Sequence, residues 1–263
     1  MSEPIRVAVS GAGGRMGMEV VNAVFAAGPD MELAGAADPA FAGETVMQAL
    51  GQPSNIVIEK DIESALASNK VDAVVVFCVP SVAMEDIRAI MKSKAVPVVG
   101  TTGITPENLE EIKKLSIENG VGAIIAPNFA IGAVLMMKMA GEAAKYLPSV
   151  EIIELHHDKK LDSPSGTSIK TAEMIDAGRS ASAPVAAGED TPARGGTFTD
   201  VHIHSVRLPG LIAHQEVIFG GLGQTLTIRH DSYDRKSFMP GVILAVKKAY
   251  KLSEVIYGLE NII

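Results

Sequence analysis

The sequence predicts an α/β protein: a doubly wound parallel sheet with an inserted second α+β domain that carries a mixed or antiparallel sheet. Three observations support this fold class. A glycine-rich loop follows the first β-rich run, Ile5–Ser10. Strand-like and helix-like stretches then alternate to about residue 127, as they do in parallel sheets covered by helices. Beyond that point, β-rich runs are separated by Pro-Gly and Gly-Gly turns, which favours antiparallel pairing.

The first domain is predicted from short buried strands and the helices that connect them. Val71–Val79 is nearly continuous in apolar and β-branched residues, which is typical of a central parallel strand covered on both faces. Thr105 and Pro106 open a helix, because a cap-type residue and a proline in the first turn mark a helix start. In chain order the predicted strands are Ile5–Ser10, Met31–Ala37, Val71–Val79, Val96–Val99 and Val121–Ala126, and the predicted helices are Met16–Ala27, Ser81–Ser93 and one from Thr105.

The second domain is predicted to span residues 128–236, inserted into a first domain of residues 1–127 and 237–263. The amphipathic stretch Met239–Tyr250 is a helix that we expect to return to the first domain. Ala181–Thr199 is rich in Ala, Gly, Pro and Thr and is predicted to be a mobile loop. The other predicted elements are the helices Gly132–Tyr146 and, after a loop, within Pro164–Gly178, and the strands Val150–His157, Val201–Leu208, Ala213–Gly220 and Gln224–Asp231.

Composition and charge exclude several classes of partner. The net charge of −8 and the pI near 5.3 argue against nucleic acid, whose partners normally present a basic face. Val121–Met137 carries no charge, but Pro127 and Gly132 interrupt it, so no membrane partner is expected. No charged and then apolar leader is visible, and the single cysteine, Cys78, excludes an intramolecular disulfide. We therefore expect a cytoplasmic protein in which Cys78 is an inert thiol in an apolar strand.

The run Gly11–Gly17 (GAGGRMG) lies between a predicted strand and a predicted helix. Its glycines permit a tight turn and a close approach of the backbone to a pyrophosphate at the helix N-terminus. The spacing G-x-x-G-x-x-G departs from G-x-G-x-x-G, and alone it is weak support. Asp38 strengthens it, because an acid about 20 residues beyond such a loop binds the ribose hydroxyls. The sequence thus predicts a Rossmann-type dinucleotide-binding domain.

Asp38 also bears on which dinucleotide is used. Its carboxylate repels a 2′-phosphate, and Pro39 follows it in place of an arginine that would offset the repulsion. We therefore predict that NADH is used at least as well as NADPH, with Arg15 the one nearby cation that would favour NADPH. Two further stretches, Gly100–Gly103 (GTTG) and Ala126–Phe129 (APNF), follow predicted parallel strands and are candidate contacts of the nicotinamide and its ribose. Each taken alone fits an ordinary turn at a strand end equally well.

Residues 151–168 (EIIELHHDKKLDSPSGTS) place candidate proton donors next to a candidate anion site. Neighbouring residues on a strand point to opposite faces, so we expect His156 and His157 where the strand ends. Lys160 follows in a loop. Beside histidines and an anion site, this lysine is a candidate for a role in the reaction.

The anion site is predicted at the start of a helix. Gly166 and Thr167 precede a stretch with helical spacing, so their backbone N–H groups would face an anion and the helix dipole would favour it. A carboxylate fits this arrangement as well as a phosphate does. Asp158, Lys159 and Asp162 are interpreted as a solvated charged loop.

A metal site is the first alternative that the residues leave open. His202 and His204 lie two apart on a predicted strand, which is a known ligand spacing, and His214, Glu216 or His230 would have to complete the site. The sequence has no closer metal signature, and no metal is predicted.

Two other functions use the same scaffold. A different oxidoreductase, such as an aldehyde or amino-acid dehydrogenase, is one of them. An aldehyde-type enzyme needs a reactive cysteine, and the apolar surroundings of Cys78 speak against it. The other is a dinucleotide sensor whose second domain is an interaction module, which would bind NADH without turnover and would leave Lys160 and the Gly166-Thr167 pair unexplained.

Four motifs together resemble one family. GAGGRMG after a strand, GTTG, APNF and above all E-L-H-H-x-x-K-x-D-x-P-S-G-T are similar to those of 4-hydroxy-tetrahydrodipicolinate reductase, also called dihydrodipicolinate reductase. The resemblance covers essentially the full length. It implies reduction of 4-hydroxy-2,3,4,5-tetrahydrodipicolinate to tetrahydrodipicolinate with NADH or NADPH, in the diaminopimelate route to lysine. It also implies a substrate-binding second domain whose sheet assembles a homotetramer.

The resemblance implies a role for each matching residue. His156 falls on the family's proton donor or acceptor, and Lys160 on its proton-donating lysine. His157 falls on the histidine that contacts the substrate, and Gly166 and Thr167 on the pair that binds a substrate carboxylate. The implied cofactor contacts are Gly11, Ala12, Gly13, Gly14, Arg15, Met16, Asp38, Gly100, Thr101, Thr102, Ala126, Pro127, Asn128 and Phe129.

The chain departs from some members of the family at two places. It carries Asp158-Lys159 where they carry Arg-His, and Asp38 where they carry a glutamate. The chemistry of the residues agrees with the implied reaction. Hydride addition to a conjugated imine leaves a carbanion-like centre that needs a proton, and a lysine near an anion keeps its proton. Lys160 is therefore the predicted general acid.

Overall fold

The computed structural model describes residues 3–179 and 191–263 of the 263-residue chain. The chain divides into two units, Met1–Phe129 with Phe238–Ile263, and the inserted Ala130–Ser237. Each unit has its own sheet, parallel in the first and mixed in the second. This is the fold class that the sequence predicts.

The first unit is built on seven parallel strands. They are β1 (Ile5–Ser10), β2 (Met31–Ala37), β3 (Ile58–Glu59), β4 (Ala73–Val76), β5 (Val96–Val99), β6 (Ala123–Ile125) and β12 (Val255–Tyr257). Their order in the sheet is β12-β6-β5-β4-β1-β2-β3. The order reverses between β1 and β4, and ligands of such sheets bind in the crevice at the carboxyl ends of the strands beside the reversal.

Helices of the first unit connect these strands. They are α1 (Arg15–Ala26), α2 (Val46–Leu50), α3 (Ile62–Ser68), α4 (Pro80–Lys92), α5 (Pro106–Asn119) and α8 (Met239–Ala249). The predicted start of α5 is confirmed, because the Thr105 hydroxyl accepts a hydrogen bond from the Asn108 amide at 3.2 Å. Helix α8 packs against α1 and β5. The C-terminal segment therefore belongs to the first unit.

Several predicted bounds in the first unit are corrected. The run Val71–Val79 is longer than β4, because the chain leaves the sheet after the Phe77 amide bonds to Ser10 O at 3.0 Å and then enters α4. The sequence pattern does not predict α2, β3, α3 and β12. These elements are two to seven residues long, which is too short for a periodic pattern to stand out.

Within its described residues, the second unit has a five-stranded sheet and two α-helices. Its elements are α6 (Ile131–Ala143), β7 (Ser149–His156), α7 (Gly166–Gly178), β8 (Gly196–Phe198), β9 (Val201–Arg207), β10 (Ala213–Gly221) and β11 (Gln224–Ser232). The strand order is β11-β10-β7-β9-β8. All neighbouring pairs are antiparallel except β7 and β9, which are parallel because the chain returns between them through α7. Helices α6 and α7 pack against each other.

The expected mobile loop at Ala181–Thr199 is corrected where the structure describes it. Residues 181–190 lie outside the described residues. After them come a short 3-10 helix, Pro192–Arg194, and the edge strand β8, which pairs with β9. This strand is only three residues long, Gly-Thr-Phe, so no hydrophobic alternation in the sequence reveals it.

The uncharged stretch Val121–Met137 forms β6, a connecting segment and the start of α6, as predicted. Within the described ranges, no helix combines the length and the apolar character that crossing a membrane requires.

Candidate active site

The glycine loop of the first unit lies against the end of β4. Gly11 has φ +76°, and a Cβ there would come within 2.7 Å of Phe77 O. A Cβ on Gly17 would overlap the carbonyl oxygen of Gly11. Only glycine allows α1 to start this close to the loop, and the N-terminus of α1 is thereby held at the carboxyl edge of the sheet.

The first turn of α1 is open to a ligand. No side chain caps it, and it contains no acidic residue. Arg15 at its start is exposed. Because the first amides of a helix have no partner within the helix and carry its positive dipole end, this turn suits a pyrophosphate.

Asp38 follows β2 and is held on both of its carboxylate oxygens. Oδ2 accepts a hydrogen bond from the Gly13 amide at 3.0 Å, and Oδ1 accepts one from the Ala40 amide at 2.9 Å. A Cβ on Gly13 would overlap the ring of Phe41. The loop and the acid that the sequence analysis singled out are therefore in direct contact.

A cavity of about 360 Å³ opens beside Asp38 and the glycine loop. Lys60 also lines this cavity. This cation was not predicted as a site residue, because the strand that precedes it, β3, is only two residues long and no sequence pattern reveals it. At its base the Ser10 hydroxyl donates to Asp86 at 2.5 Å. Burial raises the pKa of Asp86, which is 8% exposed.

Cys78 lines the same cavity as an unreactive thiol. Burial, together with the charge of Asp86, raises the pKa of Cys78 to about 11. The thiolate is the nucleophilic form of cysteine, so this side chain stays protonated near neutral pH. The geometry gives no support to an aldehyde-type mechanism at Cys78.

The GTTG and APNF stretches follow the neighbouring strands β5 and β6. The Thr101 hydroxyl donates to Cys78 O at 3.0 Å, and the Ala126 amide donates to Val99 O at 2.9 Å. Phe129 is buried and its ring lies 6.0 Å from that of Phe77. Thr102 and Pro127 are exposed at these strand ends, whereas Asn128 is half-buried. The structure thus brings both stretches and the glycine loop to one edge of the parallel sheet.

In the second unit, His156 is the last residue of β7 and His157 follows it, as predicted. Glu154 lies on the same face of β7 and is fully buried. Its Oε2 accepts a hydrogen bond from His156 Nδ1. Arg207 donates to Oε1 at 2.7 Å and to Oε2 at 2.9 Å. Burial alone would raise the pKa of Glu154, but the hydrogen bonds from His156 and Arg207 outweigh it and lower the pKa to about 2.

Lys160 lies in the loop after β7. Its ammonium donates to both oxygens of Asp162, at 2.7 and 2.8 Å, and this bond lowers the pKa of Asp162. Asp158 and Lys159 are exposed. Asp162 is also exposed, but it is a partner of Lys160 and not simply a solvated loop residue. Its backbone oxygen accepts from Arg207 at 2.8 Å.

Helix α7 begins at Gly166, two residues before the stretch in which the sequence shows helical spacing. Its N-cap is Ser165, whose hydroxyl accepts from the Ser168 amide at 3.2 Å. The Ser168 hydroxyl donates to Gln215 at 2.8 Å, which anchors this turn to β10. Gly166 is exposed, and a Cβ on it would meet no atom within 4 Å. Gly166 and Thr167 are therefore the first two residues of the helix.

The histidines that were considered as candidate metal ligands have separate hydrogen-bond partners. His204 donates from Nε2 to Glu151 at 2.8 Å, and His214 donates from Nδ1 to Asp231 at 2.7 Å. His202 is on the same strand as His204. Among residues 3–179 and 191–263, no group of three or more His, Cys, Asp or Glu side chains is placed to hold a metal ion.

Glu154 and Arg207 are two residues of this site that were not predicted from the sequence. The alternation of a strand offers a signal for Glu154, which is two residues before His156 and shares its face. Arg207 is opposite His156 in the parallel pairing of β7 and β9. Nothing in the sequence fixes that register.

Comparison with known proteins decides the family. The family model for dihydrodipicolinate reductase, N-terminus, matches residues 5–129, and the model for dihydrodipicolinate reductase, C-terminus, matches residues 132–263. The chain belongs to the dihydrodipicolinate reductase family. The family is one of pyridine-nucleotide-dependent reductases, and the resemblance that the ELHH and PSGT motifs carry is confirmed.

Relatives of the dihydrodipicolinate reductase family match over the whole chain. The 4-hydroxy-tetrahydrodipicolinate reductase of Syntrophomonas wolfei is 49% identical, covering 100% of both chains. That of Desulfitobacterium hafniense is 50% identical, covering 98% of both. A solved dipicolinate-bound dihydrodipicolinate reductase from Paenisporosarcina sp. TG-14 is 44% identical, with a TM-score of 0.86, and covers 99% of this chain and 100% of that one.

Proposed function

We propose that this chain reduces 4-hydroxy-tetrahydrodipicolinate to tetrahydrodipicolinate with NADH or NADPH, a step of lysine and diaminopimelate biosynthesis. The observation that carries the proposal is the grouping in the second unit of His156, the Lys160 loop and the start of α7. Arg207 joins the first two through Glu154 and the Asp162 backbone. Cationic side chains and backbone amide donors that lie next to each other can bind the two negative charges of a small dicarboxylate. The similarity to relatives named for this reaction, and to a dipicolinate-bound structure, supports it.

The start of α7 binds a substrate carboxylate. Gly166 leaves open space beside the first turn of the helix, and Thr167 adds a hydroxyl there. The helix dipole and the amides of this turn favour an anion. His157, exposed just beyond β7, is the further substrate contact.

Lys160 and His156 carry the proton chemistry. Loss of the substrate's 4-hydroxyl group as water gives a conjugated imine. Reduction of this imine would leave a carbanion-like centre, and the Lys160 ammonium supplies its proton as general acid. The Asp162 carboxylate accepts hydrogen bonds from this ammonium and holds it in place. His156 exchanges a proton with the substrate through the ring nitrogen that Glu154 does not bind.

The first unit holds the nicotinamide cofactor, which supplies the hydride when bound. The close packing that the loop glycines permit holds the uncapped start of α1 at the edge of the sheet, and this start fits a pyrophosphate. Asp38 binds the adenosine ribose. The residues that would hold the cofactor are Gly11, Ala12, Gly13, Gly14, Arg15, Met16, Asp38, Gly100, Thr101, Thr102, Ala126, Pro127, Asn128 and Phe129.

We expect kcat/KM with NADH to be at least as high as with NADPH. The Asp38 carboxylate is fixed by two amides and faces a cavity that Asp61 and Glu63 also line, so a 2′-phosphate meets negative charge. Lys60 lines the same cavity and, besides Arg15, is a cation that would favour NADPH. Steady-state kinetics with both cofactors measures the preference. Lys60→Ala is the matched variant, and it should lower kcat/KM for NADPH more than for NADH. A large preference of the unaltered protein for NADPH would contradict the expectation.

The reaction itself is tested with freshly generated substrate. We expect loss of reduced nicotinamide absorbance that depends on both the substrate and the protein. The same experiment includes metal analysis of the purified protein and an assay in the presence of a chelator. These two measurements test the alternative of a metal-dependent enzyme. Binding of NADH with no consumption above the protein-free rate would favour the dinucleotide sensor and overturn the proposal.

We also propose that the protein is a cytoplasmic homotetramer that assembles through the sheet of the second unit. Helices α6 and α7 pack on one side of this sheet, where Ile152 and Val217 are buried. Its other face carries the half-buried apolar residues Ile153, Leu155 and Ile218. Apolar side chains on an open sheet face favour contact with another subunit.

A further inference from the structure

We infer that Glu154 and Arg207 are a positioning pair for the proton chemistry: together they fix the tautomer and orientation of His156 and the place of the Lys160 loop. The inference rests on the proposed function for the roles of His156 and Lys160. Neither member of the pair needs to touch the substrate.

Glu154 decides which nitrogen of His156 carries the proton. An ionised carboxylate only accepts hydrogen bonds, so the nitrogen that contacts it must be protonated. The low pKa of Glu154, about 2, keeps it ionised at neutral pH. Nδ1 of His156 is therefore the N–H side of the neutral ring, and Nε2 is left for proton exchange.

Burial makes this assignment rigid. The Glu154 side chain is 0% exposed and that of His156 is 14% exposed. Arg207 binds both oxygens of Glu154 in a two-bond arrangement that restricts the rotation of the carboxylate. A carboxylate that cannot rotate holds the imidazole that donates to it, which is how histidines in many sites are oriented.

Arg207 extends the same arrangement to Lys160. It is opposite His156 in the register of β7 and β9, which places its guanidinium at the strand end. Besides Glu154, it donates to the backbone oxygen of Asp162 at 2.8 Å. The Asp162 carboxylate holds the Lys160 ammonium. One guanidinium thus links the supports of both proton-bearing residues.

Glu154→Gln tests the pair, because it keeps the size of the side chain and removes its charge. The glutamine N–H₂ can donate to Nδ1, which would move the ring proton to Nε2. We expect ¹⁵N NMR of His156 to report loss of the single Nδ1–H tautomer. We expect kcat to fall about 10–100-fold, as it does when the orienting partner of a functional histidine is removed, with a smaller change in KM.

Glu151→Gln is the matched control. Glu151 is on the same strand but on the opposite face, and it is likewise paired with a histidine and an arginine, His204 and Arg194. We expect this variant to leave the His156 tautomer and kcat close to those of the unaltered protein. Equal effects of the two substitutions would overturn the inference.

A double variant controls for a folding defect, since Glu154→Gln leaves the half-buried Arg207 charge without its carboxylate. Glu154→Gln with Arg207→Met removes both charges, and circular dichroism and thermal unfolding confirm that it folds. It should lose the tautomer and kcat in the same way. Retention of the Nδ1–H tautomer in both folded variants would overturn the inference. A changed tautomer with full turnover would support the positioning and instead overturn the catalytic role of His156.

Discussion

Replacing Lys160 with alanine is expected to lower kcat at least about 10²-fold, the lower end of what a general acid contributes, with little change in the Kd for NADH. The Lys160 ammonium is held by both oxygens of Asp162 at the end of a strand that carries His156. Without it, the carbanion-like centre left by hydride addition has lost its positioned proton donor. The glycine loop, which is proposed to bind the cofactor, belongs to the first unit. The affinity of the protein for NADH is therefore not expected to change.

Lys159→Ala is the control for this experiment. Lys159 is adjacent in the same loop, has the same charge and is exposed, whereas the Lys160 side chain is 21% exposed and paired. Single-turnover kinetics and NADH titration of both variants separate the chemical step from binding. Near-normal turnover of Lys160→Ala would remove this residue from the mechanism. An equal loss of turnover in Lys159→Ala would show that the effect comes from the positive charge of the loop and not from Lys160 itself.

Gly17→Ala is expected to weaken NADH binding by at least about tenfold and to lower the free energy of unfolding by about 1–3 kcal/mol, as overpacking of a filled site does. A Cβ at Gly17 would overlap the carbonyl oxygen of Gly11. Backbone cannot move aside as a flexible side chain does, so the start of α1 has to shift from the loop. The amides proposed for the pyrophosphate would shift with it.

Gly28→Ala is the control at the other end of α1. A Cβ on Gly28 would lie 3.6 Å from Phe25 O, an ordinary van der Waals distance. NADH titration and urea unfolding of both variants measure the two effects. If Gly17→Ala binds NADH and unfolds as Gly28→Ala does, the close approach of helix and loop has no role in cofactor binding.

The parts of the fold and site that the sequence predicts are those set by local pattern. β1, β2 and β5 are found at their predicted bounds, because each is a short apolar run between clear breaks. His156, Lys160, Gly166 and Thr167 lie within one short segment, so the sequence places them near one another. The proposed anion site rests on a helix start, which the sequence pattern shows.

What the sequence could not predict depends on pairing between distant segments. Arg207 reaches Glu154 only through the parallel register of β7 and β9, since the two residues are 53 positions apart in the sequence. Lys60 joins Asp38 at one cavity because the two-residue strand β3 pairs with the end of β2. Register and edge pairing follow from tertiary packing, which no local pattern reveals.

The interruption of the first unit by the second sets an order for folding during synthesis on the ribosome. β12 pairs with β6, and α8 packs against α1 and β5, yet both elements follow the insertion in the chain. The parallel sheet therefore stays incomplete until β12 emerges. The inserted unit is contiguous, and its last strand ends at Ser232. Because domains fold as units while the chain grows, the inserted unit can close its sheet while the N-terminal strands still wait for their C-terminal partner.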